Sequence, residues 1–149
     1  MIFSSSDLTQ PRTWLHEIVR PVLNDFIENP LDMRRAYAAL ILTYQYHERL
    51  FYYLAQSHPE LVAKGLTVFE HDLAAAALPF KGLAAAADPA AGHPLKFTNI
   101  LSAESLLGFL TSPRKVQRSI IVQRLNRQLI PLLEELMADY ERLLTKWKL

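Results

Sequence analysis

Tyr44, His47 and Glu48 are the side chains in this sequence whose types and spacing best suit proton chemistry. An imidazole exchanges protons near neutral pH, and a phenol and a carboxylate within one helical turn could serve as its partners. The three residues therefore form a candidate buried polar site. The favoured alternative is a structural role, in which His47 is a core or rim histidine with satisfied hydrogen bonds, and we predict no catalytic residue.

Sequence motifs for catalysis or ligand binding are absent. There is no Gly-x-Gly-x-x-Gly, P-loop or Gly-x-Ser-x-Gly pattern, and four glycines are too few for phosphate-cradling loops. The five histidines have no histidine or cysteine partner at zinc-site spacing, and the lack of cysteine excludes disulfides and thiolate ligands. We therefore expect no cofactor and no metal ion, and we favour a non-enzymatic protein over an enzyme.

A run of basic residues is the most informative polar feature of the chain. Between Ser112 and Gln128 there are five cations and no acidic residue, namely Arg114, Lys115, Arg118, Arg124 and Arg127. On a helix these cations would fall on two faces, from which they could contact the phosphates of a nucleic acid. A solvated or partner-facing helix is the favoured alternative, because acidic residues of a neighbouring helix could neutralise five charges.

The residues named so far are expected to lie on helices, of which the stretch 29–57 is central. It has apolar residues at helical spacing, with Asn29 and Pro30 placed as N-cap and first helical residue. Five of the six tyrosines lie in this stretch. Such a helix either belongs to the core, with its hydroxyls at the rim, or lines a pocket between the first two helices. The core interpretation is favoured, and a small-molecule sensor with a tyrosine-lined pocket is a third functional class.

Two prolines are expected to shape the flanking helices. Pro21 predicts a kink or a break in the first helix. The last helix would have about 35 residues and a length of about 52 Å, so we expect it to bend at Pro131. Helical periodicity and Pro-Gly punctuation predict the remaining segments, which are a helix from about Pro11 to Glu28, a helix over 66–78, a loop over 87–98, a short helix over 102–110 and the last helix over 112–149.

The predicted fold class is all-α, a bundle of four or five main helices in a single domain over 1–149. Half of the residues are hydrophobic and 21% are charged, which is typical of a folded globular chain, and the net charge of +1 favours no class of partner. No apolar run reaches transmembrane length and the first residues do not resemble a signal peptide. We therefore expect a cytoplasmic protein that does not enter a membrane.

Residues 21–54, PVLNDFIENPLDMRRAYAALILTYQYHERLFYYL, resemble the opening of small uncharacterised bacterial helical proteins. In these, a helix ends at an Asn-Pro pair and the next helix carries arginine, small residues and a histidine near its middle. In outline they are similar to the HEPN superfamily, helical bundles that include RNA-cleaving toxins and non-catalytic relatives. The resemblance implies a helical bundle. Its ribonucleases carry an Arg with a His about five to seven positions later, whereas Arg35 precedes His47 by twelve, so the catalytic pair is missing here.

The sequence thus favours a non-enzymatic helical module that binds a protein partner or forms a homodimer through residues 112–149. The alternative is a HEPN-like RNA-binding or RNA-cleaving protein that uses the basic half of the last helix. Neither hypothesis specifies a biological process or the identity of a partner.

Overall fold

The computed structural model describes residues 10–100 and 117–149. These residues are mostly helical. The first helix, α1, is built from three contiguous stretches, Pro11–Trp14, Leu15–Val19 and Arg20–Glu28. The other helices are α2 (Met33–Ser57), α3 (Leu66–Ala76), α4 (Leu78–Ala87) and α5 (Leu129–Lys146), with single 3-10 turns at Pro59–Leu61 and Pro89–Ala91. The predicted helices over 11–28 and 66–78 are confirmed, whereas the predicted helix over 102–110 lies outside the described residues.

A small antiparallel sheet makes the prediction of an all-α fold wrong in one respect. Its strands are β1 (Leu95–Ile100), β2 (Gln117–Val122) and β3 (Arg127–Gln128), with β2 in the middle. β1 pairs with β2 in the register Leu95↔Val122 to Ile100↔Gln117. The helix-rich class is correct, and the chain folds as five helices with one three-stranded sheet within the described residues.

The last helix begins at Leu129 and not at Ser112. Residues 117–128 instead form a β-hairpin, because Ile120, Ile121 and Val122 are consecutive, β-branched and buried, which suits a strand better than one face of a helix. Asn126 at the hairpin turn has φ of 49°, a conformation that asparagine adopts more readily than most residues. Pro131 consequently lies in the first turn of α5, where a backbone N–H would have no acceptor within the helix. A proline is therefore tolerated there, and the bend predicted at Pro131 has no cause.

The predicted loop over 87–98 is also wrong in part, because β1 begins at Leu95. The strand is fixed to α2 by its first residue, whose N–H donates to the Tyr37 hydroxyl at 3.3 Å. On the other side of the sheet, the hairpin turn lies on α4 at Gly82, where a Cβ atom would come within 2.6 Å of Leu125 Cδ1. The sheet therefore contacts α2 and α4 at these two points, and it also packs on α5 through β2 and β3.

Pro21 widens α1 without breaking it. The turn before it, Leu15–Val19, is π-helical, and the Arg20 N–H donates to the Leu15 carbonyl. A proline ring crowds the carbonyl four residues earlier, and a wider turn gives that carbonyl room. The helix then continues to Glu28, as predicted.

The N-cap of α2 is Asp32 and not Asn29. Its side chain accepts hydrogen bonds from the backbone N–H groups of Arg34 (3.0 Å) and Arg35 (3.2 Å). The Arg35 N–H, followed by the Arg35 guanidinium, holds the pKa of the Asp32 carboxyl below its usual value. A carboxylate is a better cap than an amide at the positive end of a helix, so Asn29 ends α1 instead.

Two buried tyrosines join α1, α2 and α5. The rings of Tyr46 and Tyr140 meet edge to face at a centroid distance of 4.8 Å. The Tyr46 hydroxyl donates to the Pro11 carbonyl at 2.8 Å, and the Tyr140 hydroxyl donates to the Thr43 carbonyl at 3.0 Å. Burial raises the pKa of both phenols above the usual value for tyrosine, and the negative charge of Glu141 adds to the effect at Tyr46.

The free energy of unfolding is expected to fall as pH rises above about 10, where tyrosines of the unfolded chain ionise. Folded Tyr46 and Tyr140 keep their protons to higher pH, so their stabilising contribution is complete below pH about 10 and is lost above it. Tyr140→Phe should cost about 1 kcal/mol at neutral pH through the lost hydrogen bond, but should lose less stability than wild type in alkali. Urea denaturation at several pH values measures both effects. Parallel pH profiles for the two proteins would contradict the assignment.

Candidate functional site

The buried polar site predicted around His47 is divided by the structure between two faces of α2. His47 is fully buried, Tyr44 is half-buried and Glu48 is exposed. Glu48 points elsewhere because adjacent helical residues diverge by about 100° around the axis. Phe80 of α4 completes the aromatic part, with its ring centroid 5.2 Å from Tyr44 and 4.8 Å from His47.

Glu70 of α3 is the carboxylate that lies beside His47. His47 Nδ1 is 2.5 Å from the Tyr44 carbonyl oxygen, and because a carbonyl can only accept, Nδ1 carries a proton. His47 Nε2 lies 3.5 Å from Glu70 Oε2, too far for a good hydrogen bond, and the Tyr44 hydroxyl donates to the same oxygen at 3.4 Å. The sequence did not indicate Glu70 as the partner of His47, because the two residues are far apart in the chain. The neighbours of Glu70, His71 and Asp72, also suggest a solvated face of the helix.

The geometry of this cluster favours a structural role over catalysis. A substrate cannot reach an imidazole that is 0% exposed. Burial, followed by the nearby charge of Glu70, raises the pKa of the Tyr44 phenol to about 12, which keeps it protonated as a donor to Glu70. His47 thus fills space between two aromatic rings, while the hydrogen bond from the Tyr44 hydroxyl to Glu70 joins α2 to α3.

The five predicted basic residues do not share a helix. Arg118 lies in β2, Arg124 in the hairpin turn and Arg127 in β3, while Arg114 and Lys115 lie outside the described residues. Arg127 contacts the Glu135 carboxylate at 3.4 Å. Arg124 lines a cleft of about 530 Å³ together with His93 and Asp88. The three basic residues within the described ranges therefore lie on the sheet or in its hairpin turn, and one of them, Arg127, is paired with an acidic group.

Arg118 makes the most distinctive contact of this sheet. Its guanidinium carbon lies 4.6 Å above the ring centroid of Phe97, a residue of β1 that is 40% exposed. The three strands contain no acidic residue, and Lys96 is exposed beside Phe97. Cations and an exposed aromatic ring thus share one small antiparallel sheet.

A groove lies beside the start of α1 in the helical part of the molecule. It has a volume of about 490 Å³ and lies between Trp14 and one face of α2. The Arg49 guanidinium carbon is 3.4 Å from the centroid of the Trp14 ring. Tyr52 is 62% exposed, and the Tyr53 hydroxyl donates to Gln10 Oε1 at 3.1 Å. The α2 residues that line the groove are Leu42, Gln45, Tyr46, Glu48, Arg49, Tyr52, Tyr53 and Gln56.

Opposite charges stand side by side in this groove. Glu48 and Arg49 both line it, and across residues 10–100 and 117–149 neither of them forms an ion pair. The tyrosines of α2 were noted in the sequence, with a pocket between the first two helices as one alternative. The stacking of Arg49 on Trp14 had no sequence signal, because the two residues are 35 positions apart.

The final helix, α5, has a polar outer face. Its apolar stripe is buried in the core of the same chain, where it packs against α2 and α4. Its outer face carries Glu134, Glu135 and Arg142, which form ion pairs with Arg20, Arg127 and Asp139 respectively. The buried residues of α5 are Leu129, Leu132, Leu133, Leu136, Met137, Tyr140, Leu143 and Leu144.

Within 10–100 and 117–149, no three His, Asp or Glu side chains are grouped so as to hold a metal ion. In the same ranges, no helix is both long enough and apolar enough to cross a membrane. The chain matches no family model, no curated protein and no solved structure. The site must therefore be judged on its own geometry.

Removal of the buried imidazole is expected to be costly. His47→Ala should lower the free energy of unfolding by about 2 to 4 kcal/mol, because it leaves a cavity between Tyr44 and Phe80. The matched control is Arg34→Ala at an exposed position of the same helix outside the groove, with an expected change within about 0.5 kcal/mol. Urea denaturation of both variants gives the comparison. Similar stabilities for the two variants would contradict the structural role of His47.

Proposed function

We propose that this protein is a non-enzymatic binding module whose contact surface is the groove between Trp14 and α2. The proposal keeps the protein-interaction function expected from the sequence and moves its surface from residues 112–149 to α2. The observation that carries it is the convergence of an exposed aromatic ring, Tyr52, with Glu48 and with Arg49 stacked on Trp14 in one groove. A cytoplasmic location is part of the same proposal.

The chemistry of the groove suits a macromolecular partner. Tyrosine, tryptophan and arginine are the residues most enriched at the energetic centres of protein interfaces. An arginine held flat on an aromatic ring loses little freedom on binding and still presents the N–H groups at the edge of its guanidinium. Gln45 and Gln56 add amide donors and acceptors along the same groove. Such a surface can bury aromatic area and satisfy a partner's polar groups at once.

The first test places a photoreactive benzoylphenylalanine at position 52, with the same substitution at Leu78 as control. Leu78 is 83% exposed and lies outside the groove, so it reports chance encounters. Irradiation in the native cell extract and in purified protein should give a covalent adduct from position 52 and none from position 78. The mass of the adduct distinguishes a second copy of the chain from another polypeptide. Equal labelling from both positions, or no adduct from position 52, would contradict the proposal.

A second candidate function, contact with single-stranded RNA, is favoured by the Arg118–Phe97 pair. Bases stack on exposed aromatic rings and guanidinium planes, and cations attract the phosphates. Phe97 and Arg118 supply these groups on strands without acidic residues, and Arg124 in the hairpin turn adds a cation that forms no ion pair within residues 10–100 and 117–149. This candidate function keeps the RNA-binding part of the HEPN-like alternative, but its interface is the sheet and not the last helix.

Arg118→Glu is expected to weaken the binding of a fluorescent single-stranded RNA by at least about tenfold and to reduce its salt dependence. Arg34→Glu is the control, because it makes the same charge change at an exposed position on α2. Fluorescence anisotropy at several salt concentrations measures both. Wild-type protein that binds no RNA at low salt, or an equal loss in both variants, would contradict this candidate.

A further inference from the structure

We propose that the partner in the α2 groove is a second copy of this chain, which packs antiparallel along α2 around a twofold axis between residues 48 and 49. This inference rests on the proposed function, since it names the partner of the same groove. A twofold interface uses the same patch on both copies, so the patch must be complementary to itself. The side chains of α2 meet that requirement.

The first reason is charge. In an antiparallel pair centred between residues 48 and 49, Glu48 of each copy faces Arg49 of the other, and the contact occurs twice. Within the described part of one chain, both groups lack an ionic partner although they line the same groove. Trp14 holds the Arg49 guanidinium against its ring and leaves the guanidinium edge to donate to a carboxylate.

The second reason is the pattern of the exposed stripe. Ile41, Gln45, Glu48, Tyr52 and Gln56 are all exposed and recur at steps of three and four residues, so they form one stripe about 22 Å long. Around the same centre, Gln45 faces Tyr52 of the second copy and Ile41 faces Gln56. Each glutamine side chain of the stripe thereby faces an apolar or aromatic side chain of the other copy. Glu48 and Arg49 lie in the middle of the interface.

The third reason is that no element within residues 10–100 and 117–149 covers this stripe. The opposite side of α2 is buried against α1, α4 and α5 through residues such as Leu40, Leu50 and Leu54. Ile41 and Tyr52 are 40% and 62% exposed, which leaves apolar area available to an approaching helix. Burial of these two side chains twice, once per copy, supplies the nonpolar part of the interface.

Light scattering after size exclusion, over a range of protein concentrations, tests the inference with charge-swapped chains. Wild type should form a dimer. Glu48→Arg and Arg49→Glu should each raise the dimer Kd by at least about tenfold, because the facing pair becomes Arg–Arg in one variant and Glu–Glu in the other. An equimolar mixture of the two variants should recover the dimer, since every facing pair then joins one cation and one anion.

Two controls separate charge pairing from loss of structure. Lys64→Glu reverses an exposed charge outside the groove and should leave the dimer intact. The chain that carries both Glu48→Arg and Arg49→Glu restores an opposite-charge pair and should dimerise by itself. Recovery in the mixture cannot come from misfolded chains, so the result does not depend on how well each single variant tolerates its substitution.

The outcomes distinguish this inference from the proposed function. A wild-type dimer that neither single variant weakens overturns the inference, because its interface lies elsewhere. A wild-type monomer at high concentration also overturns it, and photo-adducts from position 52 with another polypeptide would then still support the proposed function. A monomer with no adduct from position 52 overturns both.

Discussion

The contact between Tyr46 and Tyr140 determines how the three longest helices lie together, and the groove depends on it. The Tyr46 hydroxyl holds the Pro11 carbonyl, which is the start of α1, and the Tyr140 ring packs against Tyr46 from α5. With Pro11 fixed on α2, Trp14 one turn later lies beside Arg49 and forms the wall of the groove. A buried hydrogen bond in the core thus positions an exposed aromatic ring on the surface.

Helix α2 carries two sets of polar groups with different roles. On the inner side, His47 is enclosed by Tyr44 and Phe80 and faces Glu70, which gives a polar cluster without access for a substrate. On the outer side, Glu48 and Arg49 are adjacent to His47 in sequence but open to the groove. The same helical geometry that separates Glu48 from the candidate buried polar site therefore places it in the candidate interface.

Long helices with regular apolar spacing were predictable from the sequence, whereas the ends of the helices and contacts between residues far apart in the chain were not. The helices α1, α2 and α3 follow from regular apolar spacing over three or more turns. The hairpin was mistaken for helix because Val116 and Ile120, and then Ile121, Leu125 and Leu129, recur at steps of four residues, which a helix allows. The strand signal of Ile120–Val122 is only three residues long. Asp32 is the N-cap and not Asn29, because residues 29–32 form a turn before the helix, in which the Asp32 N–H donates to the Asn29 carbonyl at 3.0 Å.

The candidate sites also combine features that the sequence predicts with features that it does not. The tyrosines of α2 and the burial of His47 could be anticipated, since both depend on residues within one helix. Glu70 beside His47, Trp14 beside Arg49 and Phe97 beneath Arg118 each join residues from different elements, and no spacing rule relates them. The surface proposed for binding therefore had to be assembled from the tertiary structure.

The two tryptophans permit the most direct measurement of the central claim, which is that the groove carries the binding surface. Trp14 lies in the groove, while Trp147 lies at the end of α5 beside Phe69. Nuclear magnetic resonance of the two indole N–H groups, recorded during a dilution series and on addition of any captured partner, compares them within one molecule. We expect the Trp14 signal to shift while the Trp147 signal stays constant. A constant Trp14 signal under conditions where the protein binds would contradict the account.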